Sequence, residues 1–399
     1  MQKMRDEIYS NRPRRETMLP FSPPDIGQEE IDEVVDSLRS GWITTGPKIA
    51  RFEQALGGYL GCENVIALNS ATAGLFLCLK VLGIGPGDEV ITTPYTFAAT
   101  VNVILHAGAV PVLADVCRDD FNIDPAQIER AVTPKTRAVI PVHFAGRSCD
   151  MDAIGAIAKR HDLAVIEDAA HAIGAEYQGQ KIGSISRFTV FSFHAVKNVT
   201  TGEGGAITTN DSGMADRLRT MALHGMNKDA WKRFAPGGKW QYDIVTPGYK
   251  YNMMDLQAAL GIHQLRKLDG NLIKRKNIVD QYRNGLSGIS QIALPGDSAD
   301  GRHCWHLFPL LIDFAKLKIG RDRFIELLLQ ENISSNVHYL PVHLFSYYQE
   351  QMGFKPGDFP VAEDLSAREI TLPLYTRLTP DDVDDVIFAV RKIISNNIK

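Results

Sequence analysis

Cysteine is scarce: Cys62, Cys78, Cys117, Cys149 and Cys304 are the only five in 399 residues. An odd number, without a CxxC pair or metal-type spacing, argues against a disulfide framework and a metal site, and fits a reducing cytoplasm. Long apolar runs are also missing. No stretch approaches the roughly 20 apolar residues that cross a bilayer, and the N-terminus lacks the apolar core of a signal peptide, so we expect a cytoplasmic protein with no membrane partner. Nor does one sign of charge dominate, since 43 Lys and Arg stand against 47 Asp and Glu, a net charge of -4. Such a balance offers nucleic acid no basic face. Internal repeats and low-complexity segments are absent.

What is present is an ordinary enzyme composition, 44% hydrophobic and 23% charged, long enough for one large core and one smaller one. Residues 1–18, with Arg5, Arg12, Arg14 and Arg15 around Pro13, read as a mobile arm or a lead-in strand. From about residue 60 to 210, short runs rich in Val and Ile alternate with helix-length segments, which predicts an α/β fold with a mainly parallel sheet sandwiched by helices. The expected strands are Val65–Leu68, Glu89–Thr92, Val110–Leu113, Ala138–Pro141 and Ala164–Glu167. Helices are expected over Ala73–Leu82, Asp124–Val132 and Asp150–His161. Phe188–Phe193 and Ala206–Thr209 predict two strands joined by a glycine-bearing turn, although Gly202-Glu203-Gly204-Gly205 equally suits a phosphate or nucleotide loop. A long helix beginning near Asp255 carries the chain out of the large domain, residues 19–270, into a smaller C-terminal α+β domain, residues 271–399. That domain mixes a strand (His306–Ile312) with helices (Arg321–Glu331 and Pro380–Ile394).

Four short segments could carry chemistry. In Ser192-Phe193-His194-Ala195-Val196-Lys197-Asn198 a lysine follows an apolar strand, where an open sheet binds ligands. Partial burial there would free its amine to attack an aldehyde, yet a lysine after a strand is also commonly a solvated residue. In Glu167-Asp168-Ala169-Ala170-His171, Asp168 could hold a proton on a pyridine nitrogen or simply cap a helix. His171 could touch the same ring or be an ordinary core histidine. Asn69-Ser70-Ala71-Thr72-Ala73-Gly74 offers a helix N-terminus and hydroxyls to a phosphate, and Phe97 could stack on a flat ring; capping and core packing account for these equally. Taken together they change in meaning. A phosphate cup, an aromatic lid, an acid for a pyridine and an amine for an aldehyde, all near strand ends of one sheet, describe pyridoxal 5′-phosphate.

Longer segments then bring in a family. Glu167–His171, Phe191-Ser192-Phe193-His194 through Lys197-Asn198, and Pro247-Gly248-Tyr249-Lys250-Tyr251-Asn252 resemble the nucleotide-sugar aminotransferases of the DegT/StrS type, within the fold-type I pyridoxal-phosphate transferases. Gly41–Pro47 and Ile84–Val90 agree with that pattern. The resemblance covers nearly the whole chain after residue 18. It implies that Lys197 carries the Schiff base, Asp168 faces the pyridine nitrogen, His171 lies near the ring hydroxyl and Phe97 stacks on the ring. Thr72, Ala73 and Ser192 would hold the phosphate, and Lys250 to Asn252 would reach the neighbour's phosphate site in a homodimer with shared active sites. Ala71 departs from the glycine of many relatives and His171 from their glutamine. A lysine at position 197, where dehydrating relatives have histidine, implies transamination.

The His171 form, the Trp42 segment and the Gly248–Asn252 run look most like members that aminate C4 of a UDP-linked 4-keto sugar, such as the 4-amino-4-deoxy-L-arabinose enzymes. That likeness implies L-glutamate as donor and a role in cell-surface glycan or lipopolysaccharide synthesis. C3 amination of a UDP- or dTDP-keto sugar, a cyclitol substrate and a cofactor-bearing regulator are the alternatives. Trp231, Arg233, Trp240, His306 and His338 are candidate walls of the sugar and nucleotide pocket, or packing residues.

Overall fold

The computed structural model describes residues 13–226 and 242–399. Seven strands of the first half form one sheet: β1 (Asn64–Leu68), β2 (Glu89–Thr92), β3 (Val110–Leu113), β4 (Thr136–Ile140), β5 (Ala164–Asp168), β8 (Phe188–Ser192) and β9 (Gly205–Thr209), with a small hairpin of β6 (Glu176–Tyr177) and β7 (Gln180–Lys181) outside it. Their order is β1-β9-β8-β5-β4-β2-β3. Only β9 runs against its neighbours; the pairs from β8 through β5, β4 and β2 to β3 are parallel.

The apolar runs follow from burial of the sheet on both faces. Successive side chains point to opposite sides, so Val65, Ile91, Val139 and Phe191 join one core while Ile66, Val90, Ile140 and Val190 join another. Helices enter through local caps. Ser70, Asp124 and Asp150 each accept from a backbone N–H of the first turn of Ala71–Val81, Pro125–Ala131 and Met151–His161, which satisfies otherwise orphaned donors. Two further helices, Gln28–Ser40 and Pro47–Leu60, precede β1.

The connection from β8 to β9 is no tight turn. It spans residues 193–204, pinched at its neck where the Phe193 N–H donates to Gly204 O and the Thr201 N–H to Phe193 O, both at 2.9 Å. Lys197 sits inside that clamped loop.

A second core lies around a three-stranded antiparallel sheet, β10 (Ile292–Ala293), β11 (Phe308–Ile312) and β12 (Glu369–Leu372). Phe308, Leu310, Ile370 and Leu372 pack there against Phe324 and Val386 of the helices Arg321–Gln330 and Pro380–Asn396. The helix Asp255–Leu286 serves both cores: Leu265, Leu268 and Leu272 bury in the first, Ile278, Val279, Tyr282 and Leu286 in the second. Within the described part of the N-terminal stretch, Arg14 and Arg15 are docked. Arg15 pairs with Asp382 at 2.7 Å and Asp385 at 2.8 Å, and Arg14 pairs with Asp385 at 3.0 Å. Leu19 joins the second core beside Ile333.

Candidate active site

The parallel strands all end on one rim, and β5 delivers Glu167 and Asp168 there on opposite faces. Glu167 is fully buried and structural. It accepts from Thr189 Oγ1 at 2.8 Å, from the Ser186 N–H at 3.1 Å and from His143 at 2.8 Å. Because His143 Nδ1 already accepts the Cys149 N–H at 3.0 Å, Nε2 carries the proton it gives to Glu167. Burial works to raise this carboxyl, but these donors, His143 foremost, hold it below its ordinary range.

Asp168 has fewer donors. Thr100 Oγ1 donates to Oδ2 at 2.8 Å and the Ala170 N–H to Oδ1 at 3.1 Å. Thr96 Oγ1 lies 2.9 Å from Thr100 Oγ1 and, with the Thr100 proton committed to the acid, must be the donor. Burial raises the Asp168 carboxyl above the usual range against both bonds and the charge of Lys197. No helix starts after Asp168; the chain turns through residues 169–174, so helix capping does not explain it. Each oxygen has a neutral donor, but among the described residues no ion pair neutralises this buried carboxyl, and a cationic N–H would do so.

Lys197 answers from the β8–β9 loop. Its side chain is only partly covered, yet dense surroundings pull its amine down to about 8, with Asp168 acting in the opposite direction. Such an amine is neutral far more often than an exposed lysine near pH 7. Three imidazoles lie within reach of its charge. Burial first, then Lys197 and neighbouring histidines, hold His171, His306 and His338 below the ordinary histidine range, so all three are neutral. His171 Nδ1 accepts the Ala145 N–H at 3.3 Å, which puts its proton on Nε2, 3.0 Å from Tyr339 Oη. The rings of His171 and His306 are 4.4 Å apart.

Phe97 presents a flat face, 65% exposed, 6.4 Å from the Tyr339 ring. For an aromatic side chain at a strand end that is unusual exposure, and it leaves a surface on which a ring can stack. The first turn of Ala71–Val81 packs closely on the sheet. Ser192 pairs with Gly205, and Gly205 with Leu68. A Cβ on Gly205 would stand 2.5 Å from Ala71 N and from Ser70 C, so only glycine lets the strand meet this helix end. Thr72 and Ala73 follow in that turn, with Ser70 Oγ accepting the Ala73 N–H at 3.1 Å.

Lys250 and Asn252 stand apart from this set. The Asn69 N–H donates to Tyr251 O at 2.8 Å, Asn252 Nδ2 donates to Thr45 Oγ1 at 2.7 Å, and Lys250 Nζ bonds Asn252 Oδ1. Among the described residues neither makes a hydrogen bond or ion pair to Lys197, Asp168 or His171. Trp231, Arg233 and Trp240 lie outside the described residues. Sequence reasoning missed Thr96, Thr100 and Tyr339, and named Gly205 only as part of a possible phosphate or nucleotide loop. The i,i+4 spacing of the two threonines beside Phe97 was a usable signal; nothing local marks Tyr339.

The residues fit pyridoxal phosphate on three grounds: a buried carboxyl lacking a cationic donor, an exposed aromatic face, and a helix end whose close approach to the sheet depends on Gly205. A partly covered amine completes the set.

The model of the DegT/DnrJ/EryC1/StrS aminotransferase family matches residues 24–391. The spore coat polysaccharide biosynthesis protein SpsC of Bacillus subtilis is 51% identical over 382 residues, 96% of this chain and 98% of that protein. Among solved structures, the candidate sugar aminotransferase Spr1654 of Streptococcus pneumoniae in its PLP form is 40% identical, with a TM-score of 0.88 over 95% of this chain and 99% of that one. PseC of Helicobacter pylori, an aminotransferase involved in the biosynthesis of pseudoaminic acid, is 31% identical, with a TM-score of 0.88 over 95% of this chain and all of its own, 100%.

Proposed function

Because the chain belongs to the DegT/DnrJ/EryC1/StrS aminotransferase family, an enzyme family in which pyridoxal 5′-phosphate is its cofactor, we propose that it moves an amino group from L-glutamate to C4 of a UDP-linked 4-keto sugar. We place this activity in the cytoplasm, on the way to a cell-surface glycan. The polysaccharide role in the name of the Bacillus relative and the amino-sugar role in that of the Helicobacter relative favour such a product. Among the described residues no helix is long and apolar enough to cross a membrane.

The observation that carries the proposal is the Lys197 amine, drawn down to about 8 and facing the buried Asp168. When bound, pyridoxal phosphate supplies an electrophilic carbon and an electron sink. Lys197 Nζ would hold the cofactor and, once displaced by the donor's amine, would take the proton from the donor's α-carbon and give it up on the cofactor side, acting as base and then acid. Asp168, braced by Thr100, keeps a proton on the ring nitrogen. His171, its Nε2–H shared with Tyr339 Oη at 3.0 Å, would lie at the ring's oxygen edge, and Phe97 would cover one face. Thr72, Ala73 and Ser192 take the phosphate at the helix end. A ketone and an amino acid would use the same crevice in turn, in two half-reactions.

The Lys250 to Asn252 segment belongs, in this reading, to the phosphate site of a second copy in a homodimer. Trp42 and Ile43, 45% and 49% exposed, flank the Thr45–Asn252 bond, and Ile244, Val245 and Met254 are also exposed. Apolar surface of that kind favours a covering partner.

Mass spectrometry of products from a panel of UDP- and dTDP-linked keto sugars, with glutamate, tests the proposal. The expected outcome is exchange of the C4 keto oxygen for an amino group, with 2-oxoglutarate released. Amination at C3, or turnover only of a keto-inositol, would overturn the substrate assignment.

A further inference from the structure

Glu369 opens β12 with a carboxyl that the protein covers completely. Its Oε2 accepts the backbone N–H of His338 at 2.8 Å, and its Oε1 is bonded to Thr371 Oγ1. The same Thr371 Oγ1 lies 2.8 Å from His338 Nδ1. Three side chains thus form an unbranched line from a buried acid to an imidazole. Phe21 stacks on the His338 ring at 5.7 Å and 24°, which fixes its plane. Among the described residues the other ring nitrogen, Nε2, has no hydrogen-bond partner, and His338 is only partly buried. The ring lies 5.0 Å from that of Tyr339, which meets His171 Nε2 at 3.0 Å and lies 6.4 Å from Phe97, and the charge of Lys197 acts on it, so this imidazole borders the Lys197 crevice.

A hydroxyl has one proton to give, so the line admits two arrangements. With Glu369 protonated, the acid donates to Thr371, Thr371 donates to Nδ1, and Nε2 carries a proton. With Glu369 ionised, Thr371 donates to the acid, Nδ1–H donates to Thr371, and Nε2 is bare. One proton separates the two: it leaves Nε2 for solvent while Thr371 passes another from Glu369 to Nδ1. We propose that Glu369 and Thr371 are positioning residues that decide whether the crevice nitrogen of His338 donates to a carbonyl oxygen or accepts from a hydroxyl of the bound sugar. The identity of the sugar rests on the amino-transfer reading above; the exchange of tautomers does not.

The charged and titratable groups around the acid are few. Arg321 faces Glu369 from the helix Arg321–Gln330, Tyr95 and Tyr339 are close enough to feel its charge, and His338 is its relay partner. His338 in turn faces Lys197, His171 and His306. Burial pushes the Glu369 carboxyl up to about 8, against the bonds from Thr371 and His338 and the charge of Arg321. Burial also drives the imidazolium of His338 down to about 3, so the ring stays neutral throughout. The donor arrangement therefore holds below pH 8 and the acceptor arrangement above it.

The test is 15N NMR of the holoenzyme carrying 15N-histidine, titrated from about pH 6 to 10, across the linkage range of the acid. The His338 signals are those lost in His338→Gln. The wild-type protonated nitrogen should move from Nε2 to Nδ1 with a midpoint near 8. Glu369→Gln should stay in the Nε2–H form at every pH, because its amide donates to Thr371 as the protonated acid does. If that variant fails to accumulate, Thr371→Val serves, and it should lose the transition. A wild-type ring that keeps one tautomer over the whole range, or either variant switching like the wild type, overturns the proposal. Failure of the amino-transfer reading would show separately, as a wild-type protein without the visible absorbance of bound cofactor.

Discussion

Thr100→Val isolates one bond at the centre of the site. The side chains have nearly the same volume, and Thr100 is buried, so the change removes an oxygen with little effect on packing. What is lost is the 2.8 Å donation from Thr100 Oγ1 to Asp168 Oδ2, leaving only the Ala170 N–H at 3.1 Å among the carboxyl's protein donors. A hydrogen bond to a charged group is worth about 1.5–3 kcal/mol, and each pKa unit corresponds to about 1.4 kcal/mol. The Asp168 carboxyl should therefore titrate roughly 1–2 units higher in the variant. Burial already raises this group above its ordinary value, and the lost bond was lowering it, so the two changes have the same sign. The activity needs the ionised acid. The acid limb of the kcat/KM profile should consequently move up by about 1–2 pH units while the alkaline limb stays in place. The assay is the rate of 2-oxoglutarate formation from glutamate, followed across pH. An acid limb that does not move, or a uniform loss at every pH, would refute the assignment of Thr100 as the brace of Asp168.

Two further outcomes follow from other contacts. Gly205→Ala forces a Cβ to within 2.5 Å of the helix backbone at Ser70 and Ala71; it should cost about 1–3 kcal/mol of stability and weaken cofactor binding by about tenfold, read by equilibrium dialysis. Glu33 accepts from His263 at 3.0 Å and pairs with Lys48 at 3.0 Å and Arg51 at 2.9 Å, and although burial opposes them, these partners hold its carboxyl at about 2. Its contribution is present above the unfolded value of 4.5 and is lost as pH falls toward 2. Glu33→Gln should lower Tm at pH 7 by the equivalent of about 1–3 kcal/mol, with the gap to wild type closing between those two pH values.

Much of the large sheet could be read directly. β2 and β3 begin and end where expected: β2 is buried from Val90 to Thr92, β3 buries Pro111 and Leu113 on one face, and Gly87-Asp88, Pro94, Gly108 and Asp115 lie within two residues of their ends. The helices Gln28–Ser40 and Pro47–Leu60 were not anticipated, though each is bounded by glycines at both ends, at 27 and 41 and at 46 and 61. β12 escaped notice because its first residue is a carboxylate, an unlikely strand interior until its partners are known. At the site, Asp168 and Lys197 were visible because strand ends are where an open sheet binds ligands. The His171–Tyr339 bond joins residues 168 positions apart. No local pattern encodes such a contact, and the same holds for the line from Glu369 to His338. The β8–β9 connection stayed open between a turn and a ligand loop for a related reason: the bond from the Phe193 N–H to Gly204 O that closes its neck joins residues with ten others between them, and no local pattern encodes it.

The most direct measurement is borohydride reduction of the cofactor-loaded enzyme, followed by peptide mass mapping. The account predicts that the added mass sits on the peptide containing Lys197, at Nζ, and is absent from Lys197→Ala. Added mass on another lysine, or none in a preparation that turns over glutamate, would contradict it.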